Sequence, residues 1–65
     1  MEVYIIQECI AYEGIEIQFV TTDSSKAFEY LHESRNGRLK CEIWENDKVV
    51  GRIDYNLQSK KWELK

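Results

Sequence analysis

LKCEIWENDKVVGRIDYNL, residues Leu39–Leu57, carries alternating apolar residues on both sides of a polar break. Leu39, Cys41 and Ile43 share one strand face, and Val49, Ile53, Tyr55 and Leu57 are assigned to the same core face after the polar Asn46-Asp47-Lys48 break. A period of two is that of a half-buried strand, so the stretch reads as a hairpin. Its register follows from side-chain pairing. A two-residue turn at Asn46-Asp47 sets Cys41 opposite Arg52 and Lys40 opposite Ile53, mixing charge with core. A three-residue loop, Asn46 to Lys48, pairs Ile43 with Gly51 and Cys41 with Ile53. It also sets Glu42 against Arg52 and Lys40 against Asp54 on the other face, and this register is predicted.

Reading outward keeps the phase. Downstream, a turn over Gln58 to Lys61 is expected to place Leu57 opposite Trp62 and Tyr55 opposite Leu64. Upstream, Asp23 or Ser24 is a good N-cap, Lys26 to Arg35 reads as helix, and Asn36-Gly37 is a stop. Ala27, Phe28, Tyr30, Leu31 and Ser34 share one side of that helix, while Lys26, Glu29, His32 and Glu33 take the other. The chain starts with a second hairpin, Val3 to about Thr22, turning at Ala11 to Gly14, where Gly14 supplies a positive φ. Val3, Ile5 and Cys9 are assigned to its core face, with Ile15, Ile17 and Phe19 opposite. Cys9 then meets Ile15, Ile5 meets Phe19 and Val3 meets Thr21, leaving Gln7 as one polar intruder.

A right-handed crossover through the helix can insert the third strand beside the first. The predicted fold is therefore α+β: one antiparallel five-stranded sheet, ββαβββ in order 2-1-3-4-5, with one helix packed on one face. Cys9 and Cys41 would both lie beneath that helix as small hydrophobes.

The 65 residues read as one domain, 1–65, and a chain this short buries only about 60% of its extended surface on folding. Without a cysteine framework or zinc spacing, oligomerisation is the expected support. The net charge is -3, but residues 1–34 carry seven acids and one base while 35–65 carry five acids and eight bases. Met1 to Ile10 lacks the pattern of a secretory leader, no run is long enough for a membrane span, and two cysteines fit a reduced compartment. A cytoplasmic location is expected.

One helix covers one side of a five-stranded sheet, so the other side is either solvated or bound. The open side is expected to carry Tyr4, Ile6, Glu8 and Ile10, then Glu16, Gln18 and Val20, then Lys40, Glu42 and Trp44, then Val50, Arg52, Asp54 and Asn56. Among these, Tyr4, Ile6, Val20, Trp44 and Val50 form the candidate protein-binding patch, suited to a homodimer or another protein partner. Cross-strand pairs of this type also stabilise a sheet without binding anything. Glu8, Glu16 and Glu42 would neighbour one another, most simply as a solvated acidic row balanced by Arg52. His32 is isolated on the helix surface, away from any nucleophile, so no catalytic residue, metal ligand, cofactor or small-molecule substrate is assigned. The rival reading is a nucleic-acid-binding module using Arg38, Lys40, Arg52, Lys60 and Lys61 with nearby aromatics. A pI near 5.0 and the lack of an RNP-type signature count against it.

Val3, Tyr4, Ile5, Ile6, Tyr12, Gly14, Ser24, Ser25, Ala27, Tyr30 and Leu31 form a V-Y-I-I strand, a Y-x-G hairpin and a Ser-Ser helix entry with an A-x-x-Y-L face. In these residues Val3 to Glu33 resembles the opening of small bacterial and phage proteins of unknown function. The resemblance implies a bacterial or prophage accessory protein and brings no catalytic residues.

Overall fold

The computed structural model describes residues 1–34 and 38–64; the predicted helix stop at Asn36-Gly37 lies outside them. The elements are β1 (Val3–Ile10), β2 (Gly14–Thr21), α1 (Ser24–Ser34), β3 (Leu39–Glu45), β4 (Lys48–Asn56) and β5 (Lys61–Leu64). The strands form one sheet in the order β2-β1-β3-β4-β5, and every neighbouring pair is antiparallel. The α+β class, the strand order and, among the described residues, the single helix are those read from the sequence.

Asp23 is the N-cap. Its Oδ1 accepts the Ser25 backbone N–H at 2.9 Å, and its carbonyl accepts the Ala27 N–H at 3.1 Å, so the helix begins at Ser24 rather than Lys26. Ala27 and Leu31 are buried against the sheet. Phe28 and Tyr30 flank them, and Tyr30 stacks on Phe19 with ring centroids 4.8 Å apart.

The turns explain the register. Asn46 and Asp47 take φ of 52° and 63°, both positive, as a two-residue hairpin turn of type I′ requires. The three-residue loop is therefore corrected to the tighter turn. The pairing predicted from it nevertheless appears farther along, with Ile43 opposite Gly51, Glu42 opposite Arg52 and Cys41 opposite Ile53. A β-bulge reconciles the two: Trp44 pairs Val49, and Val50 is the extra residue that shifts the ladder by one. In the last hairpin the Asn56 Oδ1 accepts N–H groups from Gln58 at 2.9 Å and Ser59 at 3.2 Å. This side-chain turn ends β4 at Asn56, so Tyr55 meets Trp62 and Ile53 meets Leu64. The expected pairing is thus displaced by two residues, which preserves the faces but leaves Leu57 exposed in the turn. The first turn is as read, with Gly14 at φ 96° and Cys9 opposite Ile15, although Tyr12 also adopts a positive φ of 70°.

The largest correction concerns β1. Tyr4 and Ile6, assigned to the open face, lie in the core with Ala27, Leu31, Leu39, Cys41, Ile43 and Ile53. Val3, Ile5 and Cys9, assigned to the core, point the other way. The β1–β3 register sets the parity, because Ile6 sits opposite Cys41 and Tyr4 opposite Ile43. A second bulge, at Gln18, shifts β2 between Phe19, which stays on the helix side opposite Ile6, and Ile17, which faces away opposite Gln7. Ile15 and Ile17 consequently leave the core as well.

Gln7 gives the physical reason. Its amide donates to Glu42 Oε1 at 2.7 Å, a partner that exists only on the face away from the helix. Under the apolar helix the same amide would be desolvated without an acceptor.

Candidate functional site

The face away from α1 is built from alternate residues of all five strands. From β2 come Ile15, Ile17 and Val20, and from β1 Val3, Ile5, Gln7 and Cys9. From β3 come Lys40, Glu42 and Trp44, followed by Val49, Arg52, Asp54 and Asn56 of β4 and Lys61 and Glu63 of β5. These side chains divide into two territories. The β1–β2 half carries no charge, and Ile15, Ile17 and Val20 are 56%, 61% and 53% exposed. The β3–β5 half alternates sign: Lys40, Arg52 and Lys61 against Glu42, Asp54 and Glu63.

Trp44 marks the seam. Val3 is its cross-strand neighbour on β1 and Val49 on β4, giving an apolar row of Val3, Trp44 and Val49. Glu42 Oε1 accepts from Gln7 Nε2 at 2.7 Å and lies 3.5 Å from the Trp44 indole Nε1. The carboxylate thus bridges the Gln7 amide of β1 and the Trp44 indole of β3. Beside it a shallow depression of about 470 Å³ is lined by Met1, Val3, Ile5, Trp44 and the Glu45-Asn46-Asp47 turn. The Met1 amino group and Glu45 stand 3.9 Å apart at its rim. A second open depression follows Val49, Val50, Gly51, Arg52 and Asp54.

Of the five residues predicted to form the patch, Val20 and Trp44 lie on this face, and Val50, the bulge residue, lines the neighbouring depression. Tyr4 and Ile6 do not belong to it. Sequence reasoning missed Val3, Ile5, Ile17 and Val49. In β1 apolar residues occupy both parities and polar ones do too, Gln7 with Ile5 and Glu8 with Ile6, so the strand alone does not show which face is which.

The remaining candidates are dispersed. Glu8 and Glu16 are paired across β1 and β2 on the helix side, where Gln18 Nε2 donates to Glu8 at 3.3 Å, while Glu42 lies on the opposite face. The proposed acidic row is thus split between two faces, and among the described residues no group of His, Cys, Asp and Glu is placed to hold a metal. Of the basic residues of the nucleic-acid reading, Lys40, Arg52 and Lys61 share the open face, interleaved there with acids, while Lys60 lies in the β4–β5 turn and Arg38 precedes β3. Arg52 sits directly across from Glu42.

The two thiols are in opposite settings. Cys9 is exposed on the open face and is not beneath the helix as expected, whereas Cys41 is wholly buried. Burial pushes the Cys41 thiol up to about 11, so it stays protonated at neutral pH. Burial, aided by Glu2, also raises the Tyr4 phenol. Among the described residues no helix is long and apolar enough to cross a membrane. Comparison of the chain with protein-family models, curated proteins and solved structures gives no match.

Proposed function

We propose that the chain is a small non-enzymatic protein-binding module that works through the face of its sheet opposite the helix. One observation carries this reading: all seven acids of residues 1–34 avoid the β1–β2 half of that face, which is left to Val3, Ile5, Gln7, Cys9, Ile15, Ile17 and Val20. A solvated sheet normally alternates apolar core residues with polar outer ones. Here the outer positions of two neighbouring strands, Gln7 apart, are apolar as well, and contiguous apolar surface of this kind marks a contact site. Trp44, bridged to Gln7 through Glu42, supplies the aromatic anchor that such surfaces use.

The alternation of sign over β3–β5 favours a protein over a nucleic acid, because a polyanion is recognised by a stripe of one charge. The shallow depressions suit the side chains of a partner better than an enclosed substrate. A photo-crosslinking residue placed at Val20 or Val49 in the full chain tests the proposal inside the cells that produce it. Discrete protein adducts are expected from both positions and none from the same group at His32 on the helix exterior. No adduct from the sheet positions, or an equal yield from His32, would overturn it.

A further inference from the structure

The composition of the open face also bears on the identity of its partner. Its charged side chains are three bases, Lys40, Arg52 and Lys61, and three acids, Glu42, Asp54 and Glu63, so the face is neutral in a chain whose net charge is -3. The excess acid lies on the helix, the turns and the helix side of the sheet. A partner of strong charge would find no complementary field here. A surface with balanced, alternating charge and an uncharged half complements itself, because two copies stack without net repulsion and a rotation can bring bases over acids.

Size agrees with this. The molecule is a slab of 29 × 28 × 18 Å. Its broad side, at most 29 × 28 Å across, is on the scale of the roughly 800 Å² that each partner contributes to a standard specific interface. A 65-residue chain also gains more from covering such a face than a larger domain does.

We infer that the occupant is a second copy of this chain, stacked face to face in an isologous dimer with Trp44 and the β1–β2 apolar residues at its centre. The inference rests on the protein-binding reading of the same face and names its partner. The sheet edges are poor alternatives for self-association. The Gln18 bulge interrupts β2, and β5 is four residues long and begins at Lys61 beside Lys60.

Sedimentation equilibrium of the purified full chain from about 1 to 200 µM, a range spanning typical specific affinities, reads the result directly. The expected species at the upper end has twice the 7.8 kDa chain mass. Trp44→Glu is expected to weaken the dimer by about 30-fold or more, as loss of a central aromatic does. Ile17→Glu, at a position 61% exposed, is expected to do the same with the circular dichroism unchanged, so the test survives if the Trp44 variant misfolds. Leu57→Glu, in the exposed β4–β5 turn, should leave association as it was. Because the face is neutral, raising salt from about 50 to 500 mM should move the dissociation constant by less than about threefold. A monomer throughout the range, or a dimer indifferent to both Trp44→Glu and Ile17→Glu, overturns the inference. A monomer that still yields adducts with other proteins from Val20 and Val49 in cells removes the second copy while leaving the binding function standing.

Discussion

Ile6→Ala is expected to lower stability by about 2–5 kcal/mol, while Ile5→Ala, one residue earlier, costs about 1 kcal/mol. Ile6 is fully buried among Cys41, Phe19 and the helix, so truncation removes apolar contact and leaves a cavity that the surrounding strands cannot close. Ile5 is only half-buried on the outer face, where water can fill the space its side chain vacates. Domains of this size are stable by roughly 5 kcal/mol, so the first change removes much of the folded population and the second little. Urea unfolding monitored by Trp fluorescence, at a concentration low enough to keep the chain monomeric, measures both. Equal losses, or a larger loss for Ile5→Ala, would show that β1 has the opposite parity.

Cys9 and Cys41 are expected to react with a thiol reagent at rates differing by about 10³-fold or more. Cys9 is exposed and needs no opening of the structure. Cys41 has no accessible surface and sits at the centre of β3 opposite Ile53, so it reacts only when the sheet comes apart, at a rate scaled by the unfolding equilibrium. The same burial sets a pH dependence. Folding raises the Cys41 thiol from its ordinary 9.0 to about 11, so the folded state holds the proton more tightly than the unfolded chain. Below pH 9 both states are protonated and this thiol contributes no slope. Stability falls as pH rises from 9 towards 11, because the unfolded chain releases the proton first. In a Cys9→Ser background, Cys41→Ala should flatten that fall, and comparing the two alkaline titrations isolates the thiol. Mass-resolved labelling at neutral pH checks the rate; comparable modification of both cysteines would contradict the burial of Cys41.

The β3–β4 hairpin was legible because two constraints agree there. Leu39, Cys41 and Ile43 alternate with charged residues on one strand, and the opposite charges of Glu42 and Arg52 fix the match on the other. The bulge at Val50 was not legible in position, since Val49-Val50-Gly51 has no side-chain alternation to locate the extra residue. Without the bulge a two-residue turn sets Cys41 against Arg52, which hides the fact that Asn46-Asp47 can adopt the positive φ values such a turn needs.

The first strand was ambiguous for a different reason. VYII places an apolar side chain on every residue, so the period of two carries no information about which face is which. Its polar residues point both ways: Gln7 shares parity with Ile5, and Glu8 with Ile6. Only the Gln7–Glu42 hydrogen bond across β1 and β3, a contact 35 residues apart in sequence, breaks the tie. The Gln18 bulge then hides the matching change in β2, where Ile15, Ile17 and Phe19 read as one face but belong to two. The candidate site was consequently half legible. Trp44 and Val20 were placed on it from the pattern, whereas Val3, Ile5 and Ile17 required the tertiary register.

Val3, Ile5, Ile17, Val20 and Val49 lie on the side of the sheet away from the helix, and that is the surface to which we propose a second copy binds. Methyl NMR spectra of the isotope-labelled chain, recorded as it is diluted from about 200 to 1 µM across the affinity range of such contacts, test both parts together. The methyl signals of Ile5, Ile17 and Val20 should move with concentration, while those of Ile6, Leu31 and Ile53 stay fixed. Concentration-dependent shifts centred on Ile6 and Ile53, or spectra that do not change on dilution, would contradict the account.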